Sequence, residues 1–288
     1  RFSYPKDLIK LFVKGNGVFV DEDQVADFSG TGLKMILYRE YAFGMARNIN
    51  EKLTIGGKFK YLYGMQNIST KKSELSLYTD PVTYELTGKS DMLLNTSIDT
   101  LYPESALFGS KNTGFGIDLG ATYQLNDKFS LSASLIDLGY IKWKNNAKNY
   151  TTDNATFVFK GVDLNVFTDT SADPLQALED SLKSTYEPKE TSLPYRDGLI
   201  TRVYLGGTYS LNEKNNFGLL LHAEFFKKAI YPSLTLSFNN RVGKWLGTSI
   251  SYSILNRSYN NIGLGFSLNL GPIQLYMVSD NLLPLFNL

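Results

Sequence analysis

The sequence predicts an all-β fold, a transmembrane antiparallel β-barrel, from three observations. Long segments alternate between apolar and polar residues, the segments run to about ten residues or more, and their polar faces consist mainly of Gly, Ser and Asn. Between Leu125 and Trp143, for example, Leu131 and Ala133 alternate with Ser132. Because successive side chains of a strand point to opposite faces, each segment has one apolar face and one face of small polar residues.

A soluble β-sandwich is the alternative that alternation alone leaves open. The length and the polar residues of the segments favour the membrane protein. Strands of soluble proteins typically have about five or six residues, whereas a tilted strand needs about 9–11 residues to span a bilayer. Solvent-facing positions of soluble strands usually carry Lys, Glu and Thr, and these strands carry mostly Gly, Ser and Asn instead.

Composition excludes several classes of protein. Lys and Arg number 29 and Asp and Glu number 28, so the formal charge is +1 and no basic surface for nucleic acid is expected. The chain has no Cys, which excludes disulfides, zinc–thiolate sites and a thiol nucleophile. Mean hydropathy is only −0.18, which a barrel tolerates because only alternate residues face lipid.

The sequence contains no apolar run of the roughly 18 residues that would predict a transmembrane helix. It begins "RFSYPKDLIK" without Met. We therefore expect the chain to have been processed or to start partway into a longer protein.

Short polar turns recur along the chain and predict a topology. "NINEK" begins at Asn48, "LNDK" at Leu125 and "LNEK" at Leu211, and each precedes an alternating segment. Asn, Asp and neighbouring polar residues favour tight reversals. The turns at 48–52, 125–128, 211–216 and 240–245 are therefore expected on one side of the membrane, the periplasmic side.

About twelve strands follow from this pattern, with one long excursion between them. The strands are expected near 33–47, 53–69, 72–87, 90–99, 113–124, 129–143, 200–210, 217–228, 231–239, 246–255, 258–269 and 273–280. Residues from about 144 to 199 are expected to form an external excursion, because long loops face outward in such barrels. The predicted domains are an N-terminal plug or entrance segment, 1–32, and the barrel, 33–288.

Two helices are also predicted. The first is Pro5 to Lys14, before the first strand. The second follows Asp173 as N-cap, with Pro174 at the first helical position and Gln176 two residues later.

Five polar residues are candidates for a site in the interior. The alternation places Lys58, Lys60, Asp118, His222 and Glu224 on the inward face. The pair His222 and Glu224 could serve a hydrolase, but residues i and i+2 of a strand share a face automatically, and no GxSxG nucleophile motif accompanies them. For Lys58, Lys60, Asp118 and Glu224, an interior filled by salt bridges is favoured over a site that binds a polar solute. We expect no enzymatic activity, no catalytic residue, no cofactor and no metal site.

The stretch "YREYAFGMARNINEKLTIGGKFKYLYGMQN", Tyr38 to Asn67, resembles a family of Bacteroidota outer-membrane barrels that carry a domain of unknown function. This family is distantly similar to the PorV/PorQ and FadL-like barrels. "LPYRDGLITRVYLGG" and "NNIGLGFSLNLGPIQLYMVSDN" are similar to it too. The resemblance implies a bacterial outer-membrane barrel of about fourteen strands.

The resemblance also implies two functions, neither of which is carried by particular residues. PorV-like relatives are accessory subunits of outer-membrane complexes, and this role is the first expectation. FadL-like relatives are channels or carriers for small hydrophobic molecules, and this role is the alternative. The expected partners are outer-membrane lipid or lipopolysaccharide and other outer-membrane proteins, with no nucleic acid.

Overall fold

The computed structural model describes residues 1–21, 25–98, 112–159, 188–226, 229–255 and 258–282. The fold is all-β with antiparallel strands, which confirms the predicted fold class. The chain divides into two compact units. Unit 1 comprises Arg1–Arg39, Tyr63–Thr113 and Ile141–Asp197, and unit 2 comprises Glu40–Leu62, Gly114–Tyr140 and Gly198–Leu288.

The described residues form two helices and sixteen strands. The helices are α1 (Lys6–Lys14) and α2 (Val18–Asp21). The strands are β1 (Phe2–Ser3), β2 (Val25–Asp27), β3 (Gly32–Asn48), β4 (Leu53–Thr79), β5 (Leu86–Ser97), β6 (Thr113–Gln124), β7 (Phe129–Trp143), β8 (Ala147–Phe159), β9 (Lys189–Thr191), β10 (Tyr195–Gly198), β11 (Thr201–Ser210), β12 (Asn215–Phe226), β13 (Ala229–Val242), β14 (Leu246–Leu255), β15 (Ser258–Leu270) and β16 (Ile273–Ser279). Twelve of these strands have seven residues or more; eleven of them lie at predicted strands, two of which merge into β4, and the twelfth, β8, lies in the expected excursion.

Within the described ranges, neither helix has the length and apolar character needed to cross a membrane.

Unit 2 is a meander of long strands. In the order of their pairing these are β3, β4, β6, β7 and then β11 to β16. The pairing is regular: every residue of β12 from Asn215 to Phe226 has a cross-strand partner on β13. Because register fixes which side chains share a face, the alternation of each strand is carried across the whole sheet of unit 2.

Most of the apolar residues on one face of the unit 2 strands are exposed. On β14, Ile250 and Tyr252 are exposed, whereas Ser249 and Ser251 on the other face are partly buried. The exposed set, which we call the outer face, also includes Ile55, Phe59, Ile117, Leu119, Leu131, Leu205, Leu219, Leu221, Leu236, Leu264 and Phe266. A soluble sandwich would bury these side chains. A contiguous apolar surface of this kind marks contact with a membrane or another protein.

The opposite, inner face of unit 2 is lined by small residues that fit one another across the strands. Five of its glycines lie directly opposite a serine of the next strand. A Cβ atom at Gly263 would lie 2.5 Å from Ser251 Oγ, so the serine hydroxyl occupies the space that a side chain would need. The pairs are Gly206–Ser132, Gly218–Ser237, Gly247–Ser267, Gly263–Ser251 and Gly265–Ser249.

Three turns of unit 2 are built in the same way. Asn126 Oδ1 accepts hydrogen bonds from the backbone N–H groups of Lys128 (2.9 Å) and Phe129 (3.0 Å). Asn50 and Asn212 make the corresponding pairs of bonds in their own turns. The side chain of the turn Asn therefore satisfies backbone donors that the tight reversal leaves without a ladder partner. This confirms the three predicted turns.

Unit 1 is organised around the second part of β4. From Asn67 to Thr79 this strand pairs with β5, β5 pairs with β8, and β8 pairs with β9. Trp143 is fully buried against Gly64, where a Cβ atom would lie 2.6 Å from the indole ring. Such a close approach of a large ring to the backbone requires glycine.

The N-terminal segment belongs to unit 1. Helix α1 confirms the predicted helix of Pro5 to Lys14, and the backbone N–H of Asp27 donates to Asp7 Oδ2 at 3.1 Å. Strand β2 pairs with β4 through Val25–Asp27. The role of 1–32 as a plug stays a prediction.

One predicted turn is wrong. The strands expected at 53–69 and 72–87 are parts of a single strand, β4, that continues to Thr79. In the structure Lys71 Nζ lies 2.5 Å from Asp197 and Lys72 Nζ lies 2.5 Å from Asp91, so neighbouring strands neutralise both charges. The reversal comes later, where Asp80 Oδ1 accepts from the N–H groups of Val82 and Thr83.

The expected excursion from 144 to 199 contains three strands, β8, β9 and β10. The predicted helix after Asp173 lies outside the described residues, and the external location of the excursion stays a prediction.

A buried carboxylate connects three strands of unit 1. The side chain of Asp197 on β10 is only 1% exposed and accepts from Lys34 Nζ (3.1 Å) on β3 and Lys71 Nζ (2.5 Å) on β4. Asn67 Nδ2 donates to its second oxygen at 3.0 Å. Burial alone would raise the pKa of Asp197, but the two ammonium groups and the hydrogen bonds from Lys71 and Asn67 outweigh burial and lower it.

Candidate functional site

Lys60 is the centre of a cluster of charges on the inner face of unit 2. Its side chain is only 5% exposed. Its Nζ atom lies 2.5 Å from Asp137 Oδ1, 2.9 Å from Asp118 Oδ1 and 3.6 Å from Glu40 Oε2. A buried ammonium group is stable only when acceptors compensate its lost hydration, and these carboxylates supply them.

Asp137 reaches Lys60 because strand β7 is irregular at this residue. Its φ of +60° is unusual for a residue other than Gly, although Asp tolerates it better than most. Leu131 and Leu138 are both exposed although they lie seven positions apart, so the alternation changes phase between them. An extra residue of this kind is a β-bulge, which turns Asp137 inward. The backbone N–H of Asp137 donates to Asp118 Oδ1 at 2.8 Å and secures this geometry.

Arg202 and Lys58 complete the cluster. The Arg202 guanidinium makes a close ion pair with Asp137 Oδ2, and Lys58 Nζ lies 3.9 Å from Asp118 Oδ2. We call Glu40, Lys58, Lys60, Asp118, Asp137 and Arg202 the charged belt, because they follow one another across β3, β4, β6, β7 and β11. The belt has three carboxylates and three cations, so its formal charge is zero. Glu224 lies opposite Arg202 in the register of β11 and β12 and is not counted in the belt.

A cavity of about 580 Å³ adjoins the charged belt. Lys58 and Asp118 form part of its wall. The rest of its wall combines small inner-face residues, among them Gly44, Gly56, Gly120, Ser132 and Ser134, with outer-face residues such as Ile55 and Leu119, and most of the exposed wall is carbon. This volume falls within the usual range for small-molecule sites, about 300–1,000 Å³.

His222 lies in a separate position on the inner face. Its Nδ1 is 3.1 Å from Ser233 Oγ, and its ring lies against Tyr204 with centroids 4.6 Å apart. Its Nε2 atom is buried and has no hydrogen-bond partner in the described part of the chain. The distance from Nδ1 to Ser233 Oγ falls within the range of about 2.6–3.2 Å for a base and a nucleophile, but among the described residues the unpartnered Nε2 lacks the third group that orients a catalytic base.

The structure brings three of the five sequence-predicted residues together and leaves two apart. Lys58, Lys60 and Asp118 meet in the charged belt. His222 and Glu224 share the inner face, as their spacing requires, but His222 contacts Ser233 and Tyr204. Among the described side chains, no group of three or more His, Asp or Glu is arranged to hold a metal ion.

Sequence reasoning missed Glu40, Asp137 and Arg202. For Asp137 a signal was present: Leu135 and Ile136 are consecutive apolar residues at the end of the strict alternation from Phe129 to Leu135. Such a pair marks a change of phase and therefore a bulge.

The class of protein follows from these observations. Long antiparallel strands in a meander, with an apolar outer face, a polar inner face and a charged belt on the inside, define a transmembrane β-barrel protein.

The chain belongs to a family of unknown function (DUF5723), whose model matches residues 1–280. No curated protein matches the sequence.

Among solved structures, the chain is similar to the toluene transporter TbuX of Ralstonia pickettii, with 10% identity and a TM-score of 0.46. The match covers 89% of this chain and 66% of TbuX, so the chain spans just under two thirds of that protein. The toluene transporter TodX of Pseudomonas putida matches with 12% identity, a TM-score of 0.32 and coverage of 96% and 88%. A mutant porin of Rhodopseudomonas blastica matches with 11% identity, a TM-score of 0.29 and coverage of 87% and 92%.

Proposed function

We propose that this protein is a non-enzymatic β-barrel of the bacterial outer membrane that takes up small, largely apolar, uncharged molecules. The cavity of about 580 Å³ in unit 2, beside the charged belt, carries this proposal. Its wall is mostly carbon, and the charges beside it are already paired with one another. A ligand therefore finds apolar contact there without having to displace strong ion pairs.

The outer face supports the location. Its exposed Leu, Ile and Phe side chains suit lipid tails, and strands β11 to β15 have ten residues or more, enough to span a bilayer. The membrane-spanning part of the chain is then the sheet of unit 2. The N-terminal segment of residues 1–32 is a plug or entrance element in this proposal, and residues 144–199 belong to an external excursion.

Uptake of a hydrophobic dye tests the transport function. N-phenylnaphthylamine fluoresces in an apolar environment, and a lipopolysaccharide leaflet excludes it. Vesicles with lipopolysaccharide in the outer leaflet should take up the dye faster when they contain this protein. Ser134→Trp should reduce uptake to the rate of empty vesicles, because Ser134 lines the cavity and the indole would fill part of it.

Leu131→Trp is the matched control for this experiment. Leu131 lies on the same strand but on the outer face, so this variant should take up dye at the wild-type rate. If vesicles with the wild-type protein took up the dye no faster than empty vesicles, the proposed transport function would be wrong.

A second candidate is an accessory subunit of an outer-membrane complex, related in role to PorV-like proteins. The hairpin tip between β4 and β5 favours it. Val82 is 83% exposed and Tyr84 is 63% exposed. Asp80 holds the tip through two hydrogen bonds of 2.8 Å, and Tyr84 has a φ of +57°. A strained, rigid turn that presents two apolar side chains is suited to protein contact.

Co-purification tests the accessory function. Native membranes are extracted with mild detergent, and the proteins that elute with this chain in size-exclusion chromatography are identified by mass spectrometry. A subunit should elute with a constant set of outer-membrane proteins, and Val82→Ser/Tyr84→Ser should lose them. The control is Asp127→Asn, an exposed change in another turn. Elution of the wild type alone at its own mass would exclude a stable complex.

A further inference from the structure

The charges of the charged belt cancel one another within the wall of unit 2. Three carboxylates and three cations lie on adjacent strands, and each cation contacts at least one carboxylate within 4 Å. An inner wall that carries rows of unpaired charge of one sign attracts counter-ions and selects between cations and anions. A wall whose charges are paired offers an ion no such attraction.

The pairing is built with several independent contacts. Lys60 alone contacts carboxylates from three strands, through Glu40, Asp118 and Asp137. The bulge of β7 exists at the position that turns Asp137 toward Lys60 and Arg202. This convergence compensates the lost hydration of Lys60, whose side chain is only 5% exposed, so its charge is both buried and paired.

We propose that the charged belt is an ion barrier. It excludes inorganic ions from the uptake route along the inner face of unit 2 and restricts this passage to uncharged molecules. This inference rests on the proposed uptake function and adds the specificity of that same passage. The residues that determine the specificity are Lys60 and the carboxylates around it. An entering ion would have to give up hydration and would find every charge of the belt already compensated by a neighbour.

Removal of one cation should convert the barrier into a cation-selective passage. Lys60→Met leaves Glu40, Asp118 and Asp137 with Lys58 and Arg202 only, so the belt gains one net negative charge. In planar bilayers with potassium chloride, we expect wild type to show little conductance. We expect Lys60→Met to conduct with a potassium-to-chloride permeability ratio of at least about ten, which corresponds to about 1.4 kcal/mol.

Two further variants keep the test decisive if Lys60→Met fails to fold. Lys58→Met removes the same charge, but Lys58 is half exposed and has one contact at 3.9 Å, so the fold should tolerate it. It should shift selectivity in the same direction by a smaller ratio. The double variant Lys60→Met/Asp118→Asn restores a net charge of zero and should return the selectivity to that of wild type.

Lys128→Met serves as the control, because Lys128 is exposed in a turn outside the belt and its loss should change nothing. Folding of each variant is checked by its heat-dependent mobility in detergent gels. Folded Lys58→Met and Lys60→Met without any change of selectivity would overturn the proposal, and so would strong ionic conductance of wild type. The dye experiment uses a neutral probe and no applied voltage, so failure of uptake and failure of the ion barrier are separate results.

Discussion

Leu221→Arg should destabilise the protein in lipid by about 2–4 kcal/mol, the usual effect of Arg on the lipid face of a barrel near the bilayer midplane. Leu221 is the seventh of the twelve residues of β12, and its register neighbours are Leu205 on β11 and Leu234 on β13. All three belong to the apolar set. A guanidinium at this position would lie among lipid tails, away from water, with Leu205 and Leu234 as its cross-strand neighbours.

The adjacent residue provides the control. Leu220 lies on the inner face, where its register neighbours are Gly206 and Thr235. Leu220→Arg places the same charge on the other side of the wall and should change stability by less than about 1 kcal/mol. Urea unfolding in lipid vesicles, followed by the fluorescence of Trp143 and Trp245, measures both. An equal effect of the two variants, or a larger effect at Leu220, would contradict the assignment of the faces.

Asp197→Asn should lower the free energy of unfolding by about 3 kcal/mol, because it removes one partner of a buried ion pair and leaves two lysines without that carboxylate. The value is at the low end of the range for buried pairs because the Lys71 side chain is 33% exposed. The thermal unfolding of the two proteins in the same detergent measures the difference. Asp127→Asn, an exposed change in the turn of Asn126, should alter the stability by less than about 0.5 kcal/mol.

The same variant should change the response to acid. The pKa of Asp197 is lowered in the folded protein, so the carboxylate stabilises the fold above its ordinary pKa of 3.8. This contribution is lost as the pH falls below 3.8 and through the lowered value, because protonation then favours the unfolded chain. Wild type should therefore lose stability in this range, and Asp197→Asn should lose less. Parallel curves of stability against pH for the two proteins would show that Asp197 is not the group responsible.

Much of unit 2 was predictable because lipid on one side and a polar wall on the other impose a period of two. The alternation of Ile250 with Ser249 and Ser251 is enough to assign both faces of β14. The turns were predictable because Asn50, Asn126 and Asn212 each bond their own backbone, which is a local property.

The charged belt was only partly predictable, for a physical reason. Lys60 and Asp118 follow the alternation, but Asp137 departs from it through a bulge, and Arg202 is recognised only when the bulge brings Asp137 to it. Asp197 and Lys71 are 126 residues apart in sequence. Interactions between distant residues leave no periodic signal, and the sequence therefore did not show that β4 continues from 53–69 into 72–79.

The three turns with the same Asn-centred bonds have a consequence for how such a protein changes over evolutionary time. Each turn closes its hairpin with bonds made inside the hairpin, so the two strands carry their own register with them. A hairpin can therefore be duplicated or lost as one piece while its neighbours keep their pairing. A family of barrels built from such hairpins would change its strand number in steps of two, and its members would keep the same turns.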